Sequence, residues 1–301
     1  MAPVAIPSPV IWAYCVAGTI LAAGIIAIRQ RGDWRNARGF DKLILFGPLF
    51  YAAPIAAFGS EHFTVTKAIA SLVPSWIPWH AFWAYFVGAC FIAAALSLAA
   101  RIQARLAASL LALTFFLFVV LMDVPGWARS PNQIAMALAL RELAFSGGAL
   151  ALAAGRPAGR AGGQHILATV ARYFVAVSIL YYSFEQFVRG SHVPGVPLEM
   201  ATPGWLFGHA VWTYLAAVVY AVAGAFLLLG KKTRAAATWV GLTVLLLVLI
   251  VYVPIGVAER ASLEGFNYLA DTLMFCGAVL LLAGAMPRPA ARGESSAAVG
   301  P

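Results

Sequence analysis

Nine long apolar segments constrain this chain more than any other feature of its sequence. A hydrocarbon core of about 30 Å takes roughly 20 apolar residues of α-helix, and only helices and closed barrels satisfy the backbone in lipid. The pattern therefore predicts an all-α integral membrane protein with nine transmembrane helices. The segments lie at about residues 8–28, 42–60, 80–100, 105–124, 134–154, 165–187, 206–229, 235–254 and 265–286.

Charged residues are too scarce for a soluble domain. They make up only 10% of the 301 residues, whereas soluble domains carry about 25%. The net charge of +9 comes from short basic clusters between the apolar segments, where it indicates topology rather than nucleic-acid binding. We expect the lipid bilayer to be the main partner and no nucleic acid to bind.

The basic clusters also predict the orientation of the chain. If the first helix runs inwards, one side of the membrane receives fourteen of the twenty Lys and Arg residues, in clusters at 29–42, 101–105, 156–160, 231–234 and 288–292. Because basic loops stay in the cytoplasm, we predict the N-terminus outside and the C-terminus inside. The segment 287–301 is rich in Pro, Ala, Gly and Ser, a composition that predicts a disordered cytoplasmic tail.

The sequence contains an internal duplication. Pro74 to Pro125 aligns without a gap with Pro203 to Pro254, and 17 of the 52 pairs are identical. The matches include rare residue types: Trp76 with Trp205, His80 with His209, Trp83 with Trp212, Tyr85 with Tyr214 and Arg105 with Arg234. A unit of four helices returns the chain to its starting side, so the copies would be parallel repeats about an axis along the membrane normal.

The duplication predicts four regions. An N-terminal helix and basic loop occupy residues 1–41, two four-helix bundles occupy 42–160 and 161–286, and the tail occupies 287–301.

Polar residues inside the predicted helices mark the candidate site. An ionised group at helix-centre depth costs roughly 2.5 to 3.5 kcal/mol, so such groups usually have a partner or a function. The register of the duplication also pairs Glu142 with Asp271, which places an acid at the same position of both copies. The candidates for ligand or proton binding are Glu61, His62, His80, Arg141 and Glu142 in the first copy, and Glu185, His209, Asn267 and Asp271 in the second.

Two interpretations of these residues stay open. In the first, each bundle holds its own outward-facing polar pocket, which takes up protons or hydrogen-bonds a quinone or another small lipophilic ligand. In the second, Arg141 neutralises Glu61 or Glu142, the histidines are interfacial, and the polar groups hold the helices together. The three cysteines lie in apolar segments without metal-ligand spacing, so we predict no metal site and disfavour a dithiol mechanism.

Several short motifs resemble the DoxX family of membrane proteins. In the first copy they are FGSEHF at 58–63, VPSWIP at 73–78 and Arg141-Glu142-Leu143 ahead of Gly147-Gly148, over about residues 42–155. The second copy resembles the same family through VPGVP at 193–197, Pro203-Gly204-Trp205 and NYLAD at 267–271, although Gln186 replaces the histidine of the first copy. The resemblance implies a four-helix unit of the bacterial inner membrane.

The superfamily includes the DoxD subunit of thiosulfate:quinone oxidoreductase, the methylamine-utilisation protein MauE and a cargo receptor of the surfeit-locus type. The resemblance therefore implies a membrane component of a redox or quinone-linked system. It assigns no definite cofactor; quinone is the candidate cofactor, and other membrane or periplasmic redox proteins are candidate partners. Proteins that share a fold can have unrelated functions. A transporter of protons or a small solute and a non-catalytic partner protein therefore remain alternatives. Whether the protein is an enzyme stays open, and the lack of paired cysteines argues against thiosulfate chemistry.

Overall fold

The computed structural model describes residues 8–157, 162–196 and 200–288, without the side chain of His209. Within these ranges, nine helices are long and apolar enough to cross a membrane, and no β-strand is formed. The helices are α1 Ser8–Gln30, α2 Asp41–Thr64, α3 His80–Ala100, α4 Ala104–Arg129, α5 Gln133–Ala154, α6 Gly162–Val188, α7 His209–Leu228, α8 Thr233–Ala258 and α9 Leu263–Ala285. The predicted all-α class and the nine candidate spans are confirmed. Of the predicted tail 287–301, residues 289–301 lie outside the described residues.

The ends of α4 and α8 lie beyond their predicted positions, and the conformation at a proline is the reason. We expected these helices to end at about residues 124 and 254, but they continue past Pro125 and Pro254 for about one more turn, to Arg129 and Ala258. A π-helical turn precedes each proline, Val119–Asp123 in α4 and Val248–Tyr252 in α8. Proline lacks an N–H and clashes with the carbonyl four residues back. The widened turn absorbs that clash, so the helix passes through the proline instead of ending there.

The same local conformations recur at equivalent positions of the duplicated segments. The two π-helical turns are one such pair. The indole N–H of Trp83 donates to the carbonyl of Pro78 at 3.1 Å, and that of Trp212 to the carbonyl of Phe207 at 3.2 Å. Left-handed backbone conformations at helix ends also occur in pairs at positions that the alignment of Pro74–Pro125 with Pro203–Pro254 matches. The pairs are Trp79 with Gly208, Arg101 with Gly230 and Gln103 with Lys232.

The helix α9 lies at the centre of the molecule and α1 at its edge. In the most apolar part of each helix, 83% of α9 is buried but only 22% of α1. The helix α9 packs against α2, α5 and α8, and α5 packs against α4, α6 and α9. The first helix of each predicted four-helix unit therefore packs against the last helix of the other unit, α2 on α9 and α6 on α5.

Glycines allow the central helices to approach closely. A Cβ atom on Gly148 would lie 2.4 Å from the Cα of Ala278 in α9, and one on Gly277 would lie 2.4 Å from the backbone nitrogen of Tyr51 in α2. Gly147 is packed closely as well, since a Cβ on it would lie 3.0 Å from the carbonyl oxygen of Ala171 in α6. The Tyr51 hydroxyl donates to the carbonyl of Phe145 at 2.8 Å and joins α2 to α5.

Candidate functional site

Five of the nine predicted site residues meet between α2, α5 and α9. Arg141 on α5 contacts Asp271 on α9, with 2.5 Å between Nη1 and Oδ2. The same guanidinium donates from Nη2 to Oε1 of Glu142 at 3.0 Å. Asn267 on α9 donates from Nδ2 to Oε2 of Glu61 on α2 at 3.3 Å. We refer to these five residues as the polar cluster.

The polar cluster runs from the helix ends into the bundle, at the end of the molecule opposite the basic loops. Arg141 and Asp271 each lie eight residues after the start of their helix, which is a depth of about 12 Å at 1.5 Å per residue. Asn267 lies one turn closer to the same end, on the same side of α9 as Asp271. Glu61 lies three residues before the end of α2, so Glu61 and Asn267 form the rim of the cluster.

Negative charge exceeds positive charge at this site. The polar cluster contains three carboxyl groups and one arginine, which pairs with Glu142 and Asp271, and Asp123 on α4 lies within electrostatic range of that arginine. If all four carboxyl groups were ionised, one arginine would leave three negative charges without compensation among these residues. An uncompensated charge is costly at this depth. The cluster is therefore suited to binding protons or a ligand that donates hydrogen bonds.

Several polar atoms of the cluster are buried without a hydrogen-bond partner among the described residues. They are Oε1 of Glu61, Oε2 of Glu142, Nε of Arg141 and Oδ1 of Asn267. A buried polar atom without a partner costs about 1–3 kcal/mol. Three of these atoms are oxygens and one is a donor, so a small ligand that both donates and accepts hydrogen bonds matches the set.

The prediction of one polar pocket inside each bundle is wrong. The contacts of the polar cluster cross between the predicted units, because α9 packs between α2 and α5. Asp271 of the second copy therefore meets Arg141 of the first, and Asn267 of the second copy meets Glu61 of the first. The alternative that Arg141 neutralises Glu142 is confirmed by their ion pair.

Three of the other four predicted residues, His62, His80 and Glu185, lie outside the polar cluster. His62 is half-buried, and its Nδ1 lies 2.7 Å from the carbonyl of Phe58 in the preceding turn. His80 is half-exposed at the start of α3. Glu185 forms an ion pair with Arg189 on its own helix, with 3.5 Å between Oε2 and Nε. The side chain of His209 lies outside the described residues.

Two residues near the cluster were missed by the sequence reasoning. Tyr182 on α6 is fully buried, donates to the carbonyl of Ala137 at 2.9 Å, and interacts electrostatically with Arg141. The second is Asp123 on α4, whose Oδ2 is buried without a hydrogen-bond partner among the described residues. The duplication gave no signal for Asp123, because the second copy has Tyr252 at the equivalent position.

The described part of the connection between α6 and α7 folds back onto α6 and α8. Val193 and Val196 are buried. The Tyr252 hydroxyl donates to the carbonyl of Pro194 at 2.7 Å, and Nε2 of Gln186 donates to the carbonyl of Gly195 at 3.2 Å. The corresponding loop of the first unit forms the helix Thr66–Leu72, which contains no buried residue. The two halves therefore differ most at this end.

Comparisons with protein-family models, with curated proteins and with solved structures found no match to this chain. The resemblance to DoxX proteins therefore depends only on the short sequence motifs.

Proposed function

We propose that this chain is a DoxX-like multi-pass protein of the bacterial inner membrane and a membrane component of a quinone-linked redox system. The polar cluster is the observation that carries the proposal. It combines three carboxyl groups, an amide and one arginine near a membrane interface, and every residue of the cluster except Asp271 offers a buried atom without a partner among the described residues. A quinol donates hydrogen bonds through its hydroxyls and so matches the three unpartnered oxygens, whereas a quinone accepts through its carbonyl oxygens and so matches Nε of Arg141.

In this proposal the rim and the deeper part of the cluster have different roles. Glu61 and Asn267 at the rim bind the head group and exchange protons with the outer face. Arg141 holds Glu142 and Asp271 in place through its two ion pairs and provides the positive charge that a reduced, anionic head group requires. The redox chemistry belongs to the quinone, and these side chains orient it and move its protons.

We also propose that the two halves are parallel repeats related by an approximate two-fold axis along the membrane normal. The paired packing of α2 on α9 and α6 on α5 supports this arrangement, as do the π-helical turns at equivalent positions of α4 and α8. The axis would pass close to the contact between α5 and α9. Glu142 and Asp271 would then be equivalent acids that share one arginine.

Quinone that co-purifies with the detergent-extracted protein tests the proposed function. We expect quinone in the wild-type protein and about tenfold less in Glu61→Gln, which removes a charge-assisted hydrogen bond to the head group worth about 1.5–3 kcal/mol. We expect a similar loss in Asp271→Asn, which removes an ion pair that positions Arg141. The matched control is Glu264→Gln, since Glu264 is an exposed carboxylate at the start of the same helix as Asp271.

The measurement is the molar ratio of extracted quinone to protein. An equal ratio in all four proteins would contradict the proposal. If proton flux into liposomes depended on Glu61 and Asp271 while no quinone was bound, the same cluster would instead serve transport.

The proposed orientation is tested by labelling single cysteines in intact cells. In a variant without the three native cysteines, we expect a membrane-impermeant maleimide to label Ser130→Cys and Arg260→Cys, because both positions are exposed at the outer end of the bundle. Lys231→Cys is exposed at the basic end and should react only after the membrane is permeabilised. Labelling of Ser130→Cys and Lys231→Cys from the same side would contradict the proposed topology.

A further inference from the structure

A cavity of about 740 Å³ lies at the basic end of the molecule, at the opposite end of α9 from the polar cluster. Its walls come from the connection between α1 and α2, from the ends of α3, α5 and α9, and from the starts of α4 and α8. Its volume falls within the range of about 300–1,000 Å³ that is common for small-molecule sites. The polar cluster and its proposed quinone do not involve this cavity.

Four arginines and two aspartates line the cavity, so positive charge is in excess. Arg101 pairs with Asp33 at 2.6 Å. Arg234 and Arg288 share Asp41, at 2.5 Å and 2.7 Å. Arg156 lines the cavity as well and forms no ion pair with a described residue. The two aspartates therefore balance only two of the four positive charges, which leaves a net charge of +2 among these six residues.

The arginines differ in how firmly they are held. The side chain of Arg234 is only 13% exposed, and it also donates to the carbonyl of Ala283 at 2.9 Å. That contact makes Arg234 part of the cavity wall. The side chain of Arg288 is 74% exposed, and Arg156 is exposed too. Arg156 is therefore available to an anion that enters the cavity, and Arg288 could reach one by leaving the aspartate that it shares with Arg234.

The remainder of the lining is mostly apolar, with Leu98, Leu152, Leu280 and Leu281 among its residues. An inorganic anion would pair with the arginines but would leave this apolar surface without a partner. A neutral lipid would cover the apolar surface but would leave the arginines unpaired. An amphiphile with an anionic head and an apolar chain satisfies both parts, and phosphate suits the planar guanidinium group well.

We propose that this cavity binds an anionic phospholipid, with its phosphate between Arg156 and Arg288 and the upper part of an acyl chain against the leucines. Basic pockets between helix ends on the cytoplasmic side are a known setting for anionic lipid head groups. The positive charges of the cavity lie on the side that the basic loops place in the cytoplasm, where they face an anionic leaflet.

Native mass spectrometry of the full-length protein tests this proposal. The protein in non-ionic detergent is exposed to equal amounts of phosphatidylglycerol and phosphatidylcholine. We expect selective retention of phosphatidylglycerol, and affinity about 25-fold lower in Arg156→Gln/Arg288→Gln, which corresponds to roughly fivefold for each arginine. The matched control is Arg129→Gln/Arg260→Gln, which removes two exposed arginines from the opposite end of the molecule and should leave retention unchanged.

A second variant distinguishes between two possible ligands of the cavity, a phospholipid and free inorganic phosphate. Ala104→Phe adds a large side chain to the apolar wall and leaves all four arginines in place. We expect it to weaken phosphatidylglycerol binding at least fivefold. Because the variants change exposed or half-exposed positions, a monodisperse elution profile confirms that each is folded. Equal binding of phosphatidylglycerol and phosphatidylcholine, unchanged binding in the double glutamine variant, or displacement of the lipid by millimolar inorganic phosphate would overturn the proposal.

Discussion

Gly277→Ala is expected to lower the free energy of unfolding by about 3 kcal/mol and the midpoint of thermal unfolding in detergent by roughly 5 °C or more. The added methyl group would lie 2.4 Å from the backbone nitrogen of Tyr51 and 2.7 Å from the carbonyl carbon of Phe50. Backbone atoms cannot rotate away as a side chain can, so α2 and α9 must separate. The separation also weakens the contact between Glu61 and Asn267, because these residues lie on the same two helices.

Gly18→Ala is the matched control for this substitution. Gly18 also lies within a membrane-length helix, α1, and nothing lies within 4 Å of a Cβ placed on it. Alanine favours helix over glycine by up to about 1 kcal/mol, so we expect this variant to be at least as stable as the wild type. Gly277→Ala should be compared with Gly18→Ala by the fraction of monodisperse protein that remains after heating. Equal loss in both would contradict the close approach of α2 and α9.

The helices were predictable from the sequence because their number depends only on the length of apolar segments. The course of α4 and α8 past Pro125 and Pro254 was not predictable in this way. A proline normally marks a helix end, and whether a widened turn absorbs it depends on the packing around it. The sequence did contain one signal, since both prolines occupy the same place in the duplicated segment.

Five residues of the candidate site were predicted from the sequence, but the contacts between them were not. Glu142 and Asp271 stood out because each is an acid inside an apolar helix, and both lie in the polar cluster. That they would share Arg141 depends on α9 packing between α2 and α5, and hydropathy contains no information about which helices are neighbours. The histidines were chosen by residue type and position, but His62 bonds to its own preceding turn and takes no part in the cluster.

Arg141→Met is the second substitution with a large expected effect. Methionine has nearly the length of arginine and suits an apolar site, but it leaves Glu142 and Asp271 close together without a cation. Breaking a buried ion pair by removing one partner costs about 3–5 kcal/mol. The side chains of Arg141, Glu142 and Asp271 are only 11–17% exposed, so solvent offers little compensation. We expect a clear loss of folded, monodisperse protein after heating in detergent.

The triple variant Arg141→Met/Glu142→Gln/Asp271→Asn separates the effect of removing the charge of Arg141 from the effect of changing its packing. It removes the cation and both acids together, and neutral replacement of a whole buried ionic group is often without net cost. We therefore expect it to recover most of the stability that Arg141→Met loses, while quinone binding stays low because the carboxylates are absent. Acidification should also narrow the gap between Arg141→Met and the wild type, since protonation of the two acids removes their repulsion. If the triple variant were as unstable as Arg141→Met, the role of Arg141 would lie in packing rather than in charge compensation.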